Sequence, residues 1–260
     1  MADTPVLEAR GVSKYFGHVI ALEGITMDVR AGEVLCLLGD NGAGKSTLIK
    51  AISGIHSLDE GELAIDAQPV RFDSPAQARQ HGIETVYQDL ALFDNLSAAQ
   101  NFYAGRELTR PSWLRRLGFL QDRTMAEETT QLLDDLEVRL PATSMGLVGL
   151  MSGGQRQAVA VARAVAFASR IVILDEPTAA LGVRESRNVL RLVKRLAGRG
   201  IAVILISHNL EEVMAVADRA VVLRQGTFVG EAIPTQENHE QIVSMIVGGG
   251  AGKEALPPVV

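Results

Sequence analysis

Nine residues, GDNGAGKST from Gly39 to Thr47, have the types and spacing needed to hold a polyphosphate. Gly39, Gly44, Lys45 and Ser46 occupy the fixed places of a G-x-x-x-x-G-K-[ST] loop, with Asp40, Asn41, Gly42 and Ala43 between them and Thr47 closing it. Glycines let consecutive backbone N–H groups turn inward on the phosphates, and Lys45 reaches the β- and γ-phosphates. Ser46 offers a hydroxyl to Mg²⁺, and the helix starting there adds its positive end.

Other residues suited to the same chemistry stand apart in sequence. Asp175 and Glu176 end the run IVILDE. The aspartate there suits Mg²⁺, and the glutamate suits orienting or deprotonating an attacking water. One of the two as a cap for the next helix would account for one carboxylate, not for both. Gln88 and His208 each close an apolar run and suit a γ-phosphate or water-positioning role. Ser152-Gly153-Gly154-Gln155 opens a long apolar helix, where paired glycines expose N–H groups and a helix start favours an anion. That makes a second phosphate site beside the first.

These residues need a frame. The runs Glu33–Gly39, Ile83–Gln88, Arg170–Glu176 and Ile201–His208 read as buried parallel strands separated by helical segments. Ligands of open α/β sheets bind beyond the carboxyl ends of strands, which is where each run places its polar residue. Val6–Asp28 with Gly61–Phe72 alternates polar and apolar residues and predicts an antiparallel layer beside that sheet. The expected class is α/β: a phosphate-loop NTPase parallel sheet flanked by helices, with an antiparallel β layer and a helical subdomain.

Bulk properties narrow the partners. The 260 residues carry a formal charge of −6, which argues against nucleic acid as a partner. The one cysteine, Cys36, lies in VLCLLG and reads as a core residue of a reducing compartment. MADTPVLEARG lacks the basic start and apolar stretch of a secretory signal, and Arg163 and Arg170 interrupt the most apolar region. A cytoplasmic protein is expected, with any membrane role borrowed from a partner.

A phosphate loop leaves GTPases, small-molecule kinases and motor ATPases open, and the guanine-reading N-K-x-D motif is absent. The ordered set GDNGAGKST, Gln88, MSGGQ, IVILDEP and ISH resembles the nucleotide-binding subunits of ATP-binding-cassette transporters, up to about Gly230. The resemblance implies ATP and Mg²⁺. It also implies that Ser152, Gly153, Gly154 and Gln155 face the γ-phosphate held by the loop of a second copy, so that ATP joins a homodimer. It assigns adenine stacking to Phe16, with Tyr15 as the alternative, and metal contacts to Ser46, Gln88 and Asp175. Glu176 becomes the catalytic base and His208 the γ-phosphate histidine, with Gln88 completing the catalytic set.

Two positions depart from the family pattern. Met151 stands where leucine is usual, which keeps an apolar contact. After DEPTAA the family commonly has Leu-Asp, whereas Leu181 is followed here by Gly182. The change removes a carboxylate through which the two sites would couple, and a slow or regulatory nucleotide binder is one reading of it.

Within the family, Asp40 and the stretch Ser74–Glu107 resemble ATPases of bacterial monosaccharide importers. The partners implied are a second copy, an integral-membrane permease and, indirectly, an extracytoplasmic sugar-binding protein. The location implied is the inner face of the cell membrane. An exporter subunit or an importer of another small solute would share the ATPase chemistry. Repair and chromosome cassettes would need a coiled-coil insertion, and translation-associated ones a second cassette; the sequence has neither. Residues 1–246 are expected to form one ATPase domain with a helical subdomain at about 89–155, followed by a Gly/Pro-rich tail at 247–260. Gly105–Arg123 holds five arginines, Arg106, Arg110, Arg115, Arg116 and Arg123, against Glu107 and Asp122, with Trp113 among them. It reads either as a surface near the permease or anionic headgroups, or as a solvated helix face.

Overall fold

Long stretches of uninterrupted apolar residues need burial on both faces, and the computed structural model gives them that. It describes residues 4–109, 120–135, 146–179 and 181–248, with Asp135 described by its backbone only. Of the tail expected at 247–260, Val247 ends a helix and Gly248 caps it, while 249–260 lie outside the described residues, as do Arg110, Trp113, Arg115 and Arg116. The chain divides into two compact units: Met1–Thr85 with Ala168–Glu176 and Val193–Val260, and Val86–Phe167 with Pro177–Leu192.

The first unit contains two sheets. In one, β1 (Pro5–Phe16), β2 (Val19–Arg30), β4 (Glu60–Ile65) and β5 (Gln68–Val70) run antiparallel in the order β2-β1-β4-β5. The other is built around β3 (Val34–Leu38), β7 (Ile171–Asp175) and β8 (Ala202–Ile206), and every residue of these three strands is buried. Their order is β10-β9-β3-β8-β7-β6, with β6 (Ile83–Val86) at one edge and β10 (Thr227–Ala232) at the other. Strand β3 pairs in parallel with β8 and with β9 (Arg219–Arg224), and β7 pairs in parallel with β8. Both expected layers are therefore present.

The strands are shorter than the apolar runs suggest. Gln88 and His208 each stand two residues beyond a strand end, in the loop rather than on the ladder. The hairpin β9–β10 was not anticipated, because no motif closes it. Helices α1 (Lys45–Ile52), α2 (Pro75–Gln80), α7 (Leu210–Val216) and α8 (His239–Val247) belong to this unit, and α6 (Val183–Gly198) contributes residues to both. Leu22 and Ile25 of β2, Leu35 and Leu37 of β3, and Leu48 and Ile52 of α1 share one core between the sheets. Burying each such side chain stabilises the fold by about 1.5–3 kcal/mol. Cys36, between Leu35 and Leu37 on β3, points to the opposite face and is also fully buried; burial pushes its thiol up to about 12, so the reactive thiolate is suppressed.

Arg219 pins this arrangement. It contacts Glu33, Asp28 of β2 and Glu231 of β10 within 3.3 Å. Burial works against its charge, but the hydrogen bonds to Glu33 and Glu231 raise its pKa nonetheless.

In the second unit α3 (Ala98–Tyr103), α4 (Asp122–Asp135) and α5 (Gly153–Phe167) pack on one another. Ser97 and Gln100 form a reciprocal capping box at the start of α3. Asn101 is fully buried and fully employed: Oδ1 accepts from Phe93 N–H, and Nδ2 donates to the carbonyls of Phe93 and Ser97. Among the described residues no helix is long and apolar enough to cross a membrane.

Candidate functional site

The loop after β3 can exist only with glycine at its ends. Gly39 has φ 143°, and a Cβ there would lie 2.2 Å from the carbonyl oxygen of Leu223. Gly44 has φ 100°, and its Cβ would meet Ala21 O at 2.8 Å and Leu22 at 2.9 Å. The unanticipated β9–β10 hairpin thus backs the loop, and Gly226 N–H donates to Ala43 O at 3.1 Å. Gly44 is the N-cap of α1 and offers no side-chain cap, so the first-turn N–H groups remain for an anion.

Lys45 Nζ donates to the carbonyls of Gly39 (2.6 Å) and Asp40 (3.0 Å), which curls the loop around its ammonium. Burial lowers the Lys45 pKa, while the charges of Glu176 and Asp175 oppose that shift. The loop and the end of β7 therefore share one electrostatic environment. Asp175 is 6% exposed at the last position of β7, while Ser46, Asp40 and Asn41 are exposed.

Glu176 follows with φ 49°, a left-handed backbone that costs a non-glycine residue about 1–2 kcal/mol. Its N–H donates to Ile206 O at 3.0 Å, one step beyond the β7–β8 ladder. This turns the side chain off the strand, and Oε1 comes within 3.4 Å of His208 Nδ1. His208 is flanked by fixed neighbours. Ser207 Oγ donates to Glu212 and accepts from Asn209 N–H, and Asn209 caps α7. The first unit thus brings together Gly39–Thr47, Asp175, Glu176 and His208. Phe16 ends β1 in the same unit, 44% exposed and paired with Val19 across the hairpin.

Gln88 and Ser152–Gln155 belong to the second unit and are described within it. Ser152 and Gln155 form a reciprocal pair: Ser152 N–H donates to Gln155 Oε1 at 2.9 Å, and Gln155 N–H donates to Ser152 Oγ at 3.3 Å. The serine hydroxyl therefore keeps its own proton to donate. Exposed Gln88 opens a turn in which Leu90 and Ala91 have positive φ. Two arginines of α5, which the motifs had not singled out, hold that segment. Arg163 donates to the carbonyls of Ala91 and Leu90, and Arg156 pairs with Asp94 at 2.8 Å. The Gln88 loop and the Ser-Gly-Gly helix are thereby tied together.

The position left bare by Gly182 is not empty. Glu185 Oε2, three residues on in the first turn of α6, lies 2.7 Å from where a Cβ on Gly182 would stand. A carboxylate is present at this turn, displaced along the chain.

The fold and loop define a phosphate-loop nucleotide-hydrolysing domain. The ABC transporter family model matches residues 22–179. This chain belongs to that family and is an ATP-binding-cassette ATPase. It is 47% identical to the xylose/arabinose import ATP-binding protein of Sulfolobus acidocaldarius, over 96% of this chain and 97% of that protein. It is 46% identical to the fructose import ATP-binding protein of Rhizobium meliloti, over 95% and 96% respectively. A ribose import ATP-binding protein of Burkholderia pseudomallei is 42% identical, over 94% of this chain but 47% of that protein. Among solved structures, the ADP conformation of an ATP-binding cassette from an ABC transporter superposes with a TM-score of 0.76 at 26% identity, covering 94% of this chain and 99% of that one.

Proposed function

We propose that this chain is the ATP-hydrolysing subunit of an importer that carries a monosaccharide through a separate permease. The observation that carries the chemistry is the convergence of the Gly39–Thr47 loop with Asp175, Glu176 and His208 in one unit. The reading as sugar import is supported by relatives that match nearly end to end and are named for xylose/arabinose and fructose import.

ATP lies with its phosphates on the loop N–H groups and Lys45, and with its base on Phe16. Ser46 and Asp175 supply oxygen donors suited to Mg²⁺, and Gln88 is a third. When bound, Mg²⁺ neutralises charge on the transferred phosphoryl group. Glu176 takes a proton from water as its oxygen attacks the γ-phosphorus, and the bond to the β,γ-bridging oxygen breaks to leave ADP. His208 holds the γ-phosphate. The Ser152–Gln155 helix start of a second copy faces the same phosphate, so each site is completed only in the dimer. Closure on ATP and opening after hydrolysis then drive the permease at the inner face of the membrane. The sugar reaches that permease through an extracytoplasmic binding protein.

The test is to trap Glu176→Gln with MgATP in native membranes and identify what is retained. A polytopic permease with a sugar-binding protein is the expected result. A soluble partner, or only a second copy, would overturn the transport reading and leave the ATP clamp standing.

A further inference from the structure

Ile55–Asp59, a short stretch that no nucleotide motif covers, packs against the aromatic at the end of β1. The His56 ring meets Phe16 edge-on, with centroids 5.2 Å apart and planes at 74°. Lys14 Nζ lies over the Phe16 ring at 5.5 Å from its centroid. Asp59 fixes the strand that leads to Phe16 in three ways. Its Oδ1 pairs with buried Lys14 at 3.0 Å, its Oδ2 accepts from Tyr15 N–H at 2.6 Å, and its own N–H donates to Ser13 O at 3.1 Å.

His56 is equally fixed. Its N–H donates to Lys50 O in the last turn of α1, as does that of Ile55. Helix α1 therefore carries the phosphate loop at its start and the support of Phe16 just past its end. Burial, then Lys50 and Lys14, lower the His56 pKa, so near neutral pH it meets Phe16 as an uncharged ring. The Tyr15 N–H, then Lys14, hold Asp59 below the usual carboxylate range, which keeps it anionic.

A ring at a hairpin tip would otherwise lose rotamer freedom when a base stacks on it, and fixing it beforehand removes that cost. We propose that His56, Lys14 and Asp59 are positioning residues for the nucleotide base, holding Phe16 from the protein side and leaving its exposed side to stack on adenine. The inference rests on the reading of Phe16 as the adenine-stacking residue.

The experiment is calorimetric titration of the full chain with MgATP and, separately, with magnesium tripolyphosphate, which has the phosphates without the base. Phe16→Ala is expected to weaken MgATP binding about tenfold, and His56→Ala and Asp59→Asn each about threefold. All three should bind tripolyphosphate as the unaltered protein does, and His56→Phe, which keeps an aromatic edge, should restore MgATP binding. If Phe16→Ala weakens MgATP while His56→Ala and Asp59→Asn do not, the support is refuted and the Phe16 reading stands. If Phe16→Ala changes nothing, the Phe16 reading fails and takes the support with it. Equal losses for tripolyphosphate, or no recovery in His56→Phe, overturn the proposal by showing that these residues act on the fold.

Discussion

Glu176 combines a carboxylate at the mouth of the sheet, a left-handed backbone and a histidine 3.4 Å away. Strain of this kind persists where surrounding structure over-determines it, here through the N–H bond to Ile206. Replacing the carboxylate by an amide keeps the shape and removes the proposed base. Glu176→Gln should therefore slow ATP hydrolysis by about 10²–10⁴-fold while leaving ATP affinity unchanged, as single-turnover kinetics and equilibrium binding would show. Normal turnover in this variant would remove Glu176 from the role of base. Gly39 gives the complementary case. A methyl group there would sit 2.2 Å from a backbone carbonyl that cannot move without the sheet. Gly39→Ala should lose MgATP and tripolyphosphate binding together, and retained affinity for either would contradict the geometry.

At the scale of elements, helix starts carry both stability and chemistry. Ser97 caps α3 in a capping box, and Ser97→Ala should cost about 1 kcal/mol, read as a lowered melting temperature. The start of α6 sets a sharper test, because Gly182 and Glu185 compete for one space. Gly182→Asp would bring two carboxylates together, and like charges at such range are destabilising. The single variant should melt lower than the unaltered chain, and Gly182→Asp with Glu185→Ala should recover most of the loss. If the double variant melts no higher than the single one, the two positions do not share the space.

For the whole molecule, Arg219 joins both sheets of the first unit through Asp28, Glu33 and Glu231. Removing the cation of this part-buried cluster leaves its carboxylates uncompensated, Glu33 above all. Arg219→Met should destabilise by about 1–3 kcal/mol in chemical denaturation, because solvent screens the half-exposed Asp28 and Glu231. The proposed composite sites call for a second copy of the chain. The Glu176→Gln chain with MgATP should sediment as a dimer, and chelating the metal should return it to monomer. A monomer under both conditions would remove the two-copy arrangement.

What the sequence determined by itself is the chemistry and the frame that aims it. Local spacing fixes a phosphate loop, and uninterrupted apolar runs fix doubly buried strands, because both follow from backbone geometry and hydrophobic burial within a few residues. Gly39–Thr47, Asp175, Glu176 and His208 were legible for that reason, as were the two β layers. Tertiary structure alone decided what depends on residues distant in the chain. The β9–β10 hairpin backs the loop, Arg156 and Arg163 clasp the Gln88 turn, and Glu185 fills the place beside Gly182. The meeting of His56 with Phe16 is of the same kind, since those rings are forty positions apart and are brought together by the pairing of β1 with β4 and the packing of α1 against the antiparallel layer.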